Sequence, residues 1–292
     1  MSTMDPADVQ RAKRRQREGD RRFLAWAIAA AMLMTGCAAL FGLAVATTAN
    51  MLRHSIIDSV FDERLPFPTF WGPGTLGYLW SIGMIGTLIG SIAASSLLDS
   101  YRGGEQQPRI LASLATCAAA VAVVANAPTW LDPLEVGVAA DPVFHEDEAW
   151  SVFGWIAYYA DIWLPGLAVA IAGLVVAHAI RHYGRLRLQI ADRGRLLMEG
   201  RCTKGAVTAM VLRTATNDQG QRSIAGTEVT VRFTDAHGVE RWVTRFSRGR
   251  TGLPARGFAE VLFDPVRPGD DHLVFVAFHS DPAPPEWIGP EL

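Results

Sequence analysis

Residues able to do chemistry are sparse in this chain, and their spacing does not make them converge. The seven histidines are scattered. There is no GxSxG, no HExxH, no Walker loop, and no GxGxxG between a strand and a helix. The densest set of oxygen ligands is His145-Glu146-Asp147-Glu148. Clustered carboxylates suit a divalent cation, but no glycine-containing loop of EF-hand spacing accompanies them, and an acidic loop on the outer side is the favoured reading. Asp161 stands in an apolar stretch, where a carboxylate marks a functional site by default. Trp150, Trp155, Tyr158 and Tyr159 precede it and bring the headgroup layer close to position 160, so an interfacial Asp161 is the other reading. Of the three cysteines, Cys37 and Cys117 lie in apolar runs and read as small buried side chains. Cys202 reads as a free thiol in a reducing compartment; no CxxC or Cys/His pair has metal-ligand spacing. No catalytic residue, cofactor or metal ligand is assigned.

The elements that would position such residues are mostly apolar. The chain has 292 residues, 50% hydrophobic and 19% charged, with mean hydropathy +0.17. A soluble domain carries about 25% charge, so the deficit points to membrane spans. The clearest span runs through about 18 apolar residues from Trp163 to Ile180, with Trp and Tyr before it and arginines after it. Three others precede it, over about 23–49, 76–98 and 110–127, and the fourth covers 160–180. The first is far longer than the apolar core of a cleaved signal, although Ala44-Val45-Ala46 resembles a cleavage site. In the second, Gly83, Gly86 and Gly90 lie along one helix, and Gly86 and Gly90 form a GxxxG that suits close packing, either inside one bundle or between two copies. The Ala-rich third run suggests the same close packing.

Loop charge orients the chain. Seven basic residues precede the first run, in a polar tail over 1–22, and Arg181, Arg185, Arg187, Arg193 and Arg195 come after the fourth. The loop 128–149 has neither Lys nor Arg. The positive-inside rule then puts both termini in the cytoplasm of a plasma-membrane protein and the two long loops, 50–73 and 128–149, outside. Phe67, Phe70 and Trp71 at the end of the first loop read as a membrane-surface belt, with a substrate lip as the sharper alternative. No aromatics interleave the basic tail, so no nucleic-acid partner is expected.

After a juxtamembrane linker helix over 181–200, the period changes. In TEVTVRFTD, Val229, Val231 and Phe233 alternate with polar residues, as in a half-buried strand. Asp235-Ala-His-Gly238 reads as a hairpin turn and VERWVTRFS as the return strand. KGAVTAMVLRTA, GFAEVLFDP and HLVFVAF complete five strands. These suggest a small all-β barrel of SH3-like or OB-like type over 201–280, with an extended Pro-rich tail over 281–292. Gly205-x-Val207, the hairpin Val229–Glu240 and the strand end Phe263-Asp264-Pro265-x-x-Pro268 resemble an uncharacterised bacterial family, domain of unknown function three-five-nine-two. The resemblance covers about residues 200–278. It implies a membrane-tethered β-domain and no catalytic residue; the four spans, against about two in the family, and the insert at 215–226 depart from the pattern.

Asp264-Pro265 has a plain structural explanation, an Asp accepting backbone N–H bonds in a turn before a Pro that ends pairing. The basic run Arg241, Arg245, Arg248, Arg250 and Arg256 could face anionic headgroups or an acidic partner, or be a solvated sheet face. The favoured expectation is a non-enzymatic membrane scaffold: a transmembrane four-helix bundle in the lipid bilayer displaying a cytoplasmic β-domain to a protein, lipid surface or ligand. An oligomeric channel or transporter using Asp161, self-associating through Gly86 and Gly90, is the alternative. An intramembrane enzyme lacks paired catalytic residues.

Overall fold

The computed structural model describes residues 16–58, 73–102, 110–140, 147–216, 222–248, 257–278 and 282–290. The basic tail up to 15, Phe67, Phe70, Trp71, His145, Glu146, Arg250 and Arg256 lie outside the described residues. The chain divides into two compact units, Met1–Arg181 and His182–Leu292.

The first unit is helical. Its long helices are α1 (Arg21–Ile57), α2 (Pro73–Tyr101), α3 (Ile110–Asn126) and the first part of α5 (Ala160–Glu199). With the 3₁₀ turn after α3 included, all four are long and apolar enough to cross a membrane. Between α3 and α5 come that turn, Ala127–Thr129, a two-stranded pair β1 (Val138–Ala139) and β2 (Glu148–Ala149), and the short α4 (Val152–Tyr158). Asp20 caps α1 by accepting from Arg22 N–H at 2.9 Å. Pro73 opens α2, where its missing N–H costs nothing.

α1 is the hub, and α2 packs on it through glycine. A Cβ on Gly83 would lie 2.6 Å from the Phe41 nitrogen and one on Gly90 2.9 Å from Met34 Cβ, while one on Gly86 would meet the Cys37 sulfur. Across the other side of α1, a Cβ on Gly42 would collide with the Ala119 backbone of α3. Ala46, Val123, Trp130 and Ala160 then join α1, α3 and α5 in one buried cluster. Small residues are what let these backbones approach.

Two boundaries differ from expectation. The first helix does not stop at position 49 but continues to Ile57; Asn50, Arg53 and Ile57 are buried there, and Arg53 and Ile57 are bonded to Leu131, Tyr158 and Trp150. At 37 residues it is about 55 Å long, well beyond a ~30 Å hydrocarbon core. The linker helix expected over 181–200 is not a separate element; α5 runs unbroken to Glu199, and its last part belongs to the second unit.

That second unit is a curled antiparallel sheet of five strands, β3 (Arg201–Thr216), β4 (Arg222–Thr234), β5 (Glu240–Arg248), β6 (Phe258–Phe263) and β7 (Val274–Ala277). Their order is β5-β4-β3-β6-β7. Strand β3 pairs with β6 over Arg201–Ala206 and with β4 from Ala206 to Thr216, with a register shift between Val207 and Ala209. Such a bulge bends a strand and raises its twist, which curls the sheet around its inner face. Val229, Val231, Phe233, Val243, Val261, Phe263 and Val276 fill that face.

Strands β6 and β7 are covered on the outer face as well. Leu196 of α5 and Trp287 of the tail pack with Leu262, Phe275 and Ala277. The tail expected to be extended is tied back: Ile288 and Val276 exchange backbone bonds of 2.8 and 3.0 Å, and Gln189 of α5 donates to Pro290 O at 3.0 Å.

Candidate functional site

Among the described residues, a group of buried and half-buried polar side chains lies at the C-terminal end of α1. Asn50, Arg53, His54 and Asp58 fall at i, i+3, i+4 and i+8, one face of a helix. Arg53 is 4% exposed. Its Nη1 donates to Leu131 O at 2.5 Å and its Nε to Tyr158 O at 3.3 Å. Its guanidinium carbon stands 6.0 Å from the Trp130 ring centroid and 5.8 Å from that of Tyr158. His54 Nδ1 is 2.8 Å from Asp58 Oδ2, and Asp58 Oδ1 accepts from Leu134 N–H at 3.4 Å. Trp150 closes the group by donating its indole N–H to Ile57 O at 2.7 Å.

The bonds made by Arg53, Asp58 Oδ1 and Trp150 all join the α1 extension to the segment between α3 and α5. Backbone carbonyls accept from Arg53 Nε and Nη1 and two aromatic rings flank its charge, so the arrangement ties the end of α1 to that segment. Sequence reasoning puts residues 50–58 in a loop and misses this cluster. The signal that could reveal it is the spacing of Asn50, Arg53, His54 and Asp58, which continues the helical period past the end of the apolar run at Ala49.

Asp161, expected either in the membrane or at its edge, lies in the first turn of α5. It is half-buried, two residues after the break at Tyr159. A carboxylate there complements the helix N-terminus. Gly86 and Gly90 face α1 of the same chain. Among the described residues, no group of three His, Cys, Asp or Glu could hold a metal ion.

Among the described residues of the predicted basic run, Arg245 does not belong to an exposed face. Arg241, Val243, Arg245 and Ser247 point to the same side of β5, because side chains alternate along a strand. Arg245 follows Val243 inward and is 3% exposed, which removes it from any interaction surface. Its guanidinium donates to the carbonyls of Thr244, Asp271 and Val274 and to Asp271 Oδ1 at 3.0 Å. It thereby bridges the edge strands β5 and β7. Burial pushes its pKa down, and the Asp271 carboxylate opposes that shift. Arg241 donates to the buried Asp235 at 2.7 Å. Arg248 ends β5.

Asp235 organises the hairpin. Its Oδ1 accepts from His237 N–H and Val239 N–H at 2.8 and 3.0 Å, and Gly238 supplies the positive φ of 80° the turn needs. Burial disfavours its charge, but those bonds and Arg241 outweigh burial and hold its carboxyl at about 2. Asp264 accepts from Val266 N–H at 2.9 Å, as expected of a turn Asp before Pro265. It also faces Arg195 of α5 at 3.6 Å and Arg267 at 3.8 Å. Cys202 is a free thiol 3.9 Å from Glu260, and burial, then that carboxylate, push its pKa up.

No family model, curated protein or solved structure matches this chain.

Proposed function

We propose that the chain is an integral, multi-pass plasma-membrane protein that acts as a scaffold without chemistry of its own. Both termini lie in the cytoplasm, and the β-unit, an SH3-like or OB-like half-barrel, presents a surface to a cytoplasmic protein, lipid headgroups or a small ligand. The observation that carries this reading is the pairing, in one chain, of four helices apolar enough to cross a bilayer with a β-unit that has its own core. Loop charge supports the orientation, since arginines come after Ile180 and neither Lys nor Arg occurs over 128–149. The resemblance of residues 200–278 to membrane-tethered β-domains supports the same setting.

The test is a crosslinking pull-down from native membranes with the full chain and with a chain cut after Arg181, where the units divide. A partner lost on truncation supports the scaffold. Partners unchanged by truncation, together with solute flux abolished in Asp161→Asn, would replace it with a transport role.

A further inference from the structure

We propose that α4 is a membrane-surface foot, whose Val152–Phe153–Ile156 face seats in the headgroup–acyl boundary of the leaflet at the start of α5. The proposal rests on reading α5 as a bilayer span.

The helix α4 has no charged residue, and its apolar side is the exposed one. Gly154 and Ala157 are buried, whereas Val152 and Phe153 are 74% and 76% exposed. The side chains cannot relieve this by turning inward. Arg53 holds Tyr158 O, and the neighbouring Trp150 is fixed on Ile57 O, both on α1. A Cβ on Gly154 would lie 2.8 Å from Trp150 Cβ, so the inner side of α4 is already filled.

The occupant is set by continuity. Exposed apolar residues run from Phe153 through Ile156, Ile162 and Trp163 to Leu167. Trp163 donates its indole N–H to Ile156 O at 2.9 Å, binding α4 to the first turns of α5. The apolar run from Trp163 to Ile180 has 18 residues, about 27 Å of helix, against ~30 Å of hydrocarbon. That length is used only if Trp163 lies at the boundary itself. Residues just before it then stand at headgroup depth, where an apolar helix face buries about 5–10 Å deep and Trp and Tyr are enriched. One lipid surface covers both stretches of the strip.

The test uses the full chain with Cys37, Cys117 and Cys202 changed to Ala, reconstituted in vesicles of phosphatidylcholine and phosphatidylglycerol. An environment-sensitive NBD label is attached in turn at Phe153→Cys, Ile156→Cys, Leu174→Cys and Glu148→Cys. The expected result is loss of iodide quenching at 153 and 156 relative to 148, with strongest quenching there by lipids spin-labelled near the headgroup. Position 174 should respond to deep spin labels. Iodide quenching at 153 and 156 equal to that at 148, with 174 still in lipid, overturns the foot alone. So does protection at 153 and 156 from iodide and lipid quenchers alike, which would mean that protein covers them. Iodide reaching 174 overturns the span and the foot together.

Discussion

Arg245 gives its donors to carbonyls of β5, of β7 and of the turn before β7, where a closed barrel would have a backbone ladder. Hydrogen bonds to a charged group contribute roughly 1.5–3 kcal/mol, and the buried Val274 carbonyl loses the guanidinium if it goes. Arg245→Met should therefore destabilise the β-unit by roughly 2–3 kcal/mol, read as a lowered urea midpoint of the detergent-solubilised chain. Asp235 makes a prediction in pH. Its folded pKa of about 2 lies below the usual 3.8, so its contribution is complete above that usual value and drains away as pH falls toward 2. Asp235→Asn should remove this acid dependence between pH 4 and 2 while lowering stability at neutral pH, measured by urea unfolding across that range. Partial desolvation and Glu260 push the pKa of Cys202 up. Glu260→Gln should speed its alkylation at mildly alkaline pH, since the thiolate is the reacting form.

At the scale of elements, the glycines of the helical unit divide into two sets. A Cβ on Gly83 or Gly90 meets α1 within 2.6–2.9 Å, whereas one on Gly166 or Gly173 meets nothing within 4 Å. Gly83→Ala should thus push α2 from α1 and cost roughly 1–3 kcal/mol, while Gly173→Ala stays near neutral. Thermal melts in detergent would show a lowered midpoint for the first alone. The helices are legible in the sequence because each contains a long apolar run, of a length able to cross a bilayer, a signal few other elements carry. Strands β4 and β5 are legible because Val229, Val231 and Phe233 alternate and Asp235–Gly238 favours a turn. The α1 extension is not, because Asn50, Arg53, His54 and Asp58 look like loop residues until a partner surface buries them. Arg245 is misplaced for a different reason: a run of charges suggests a surface, although strand parity with Val243, two residues earlier, already marks the inward face. Sequence alone does not reveal which carbonyls a buried arginine will reach, since Val274 lies 29 residues away.

For the whole molecule, the boundary between the units matters more than the end of the apolar run. The apolar part of α5 stops at Ile180, yet the β-unit is not complete without the rest of that helix. Leu196 is 2% exposed against Leu262 and Phe275, Arg195 faces Asp264, and Gln189 holds the tail at Pro290. A fragment of residues 182–292 contains both hydrophobic clusters of the sheet, so it should fold alone and unfold in one cooperative step. A fragment starting at 201 keeps every strand but bares Leu262, Phe275 and Trp287 on the outer face. Losing the buried Leu196 side chain alone should cost roughly 2–5 kcal/mol, a large share of a small domain's stability. The shorter fragment should therefore aggregate or unfold at a clearly lower urea concentration, measured by Trp fluorescence. Equal midpoints for the two fragments would mean that the helix merely leads to the sheet and that the domain begins at Arg201, where a reading by strands alone would put it.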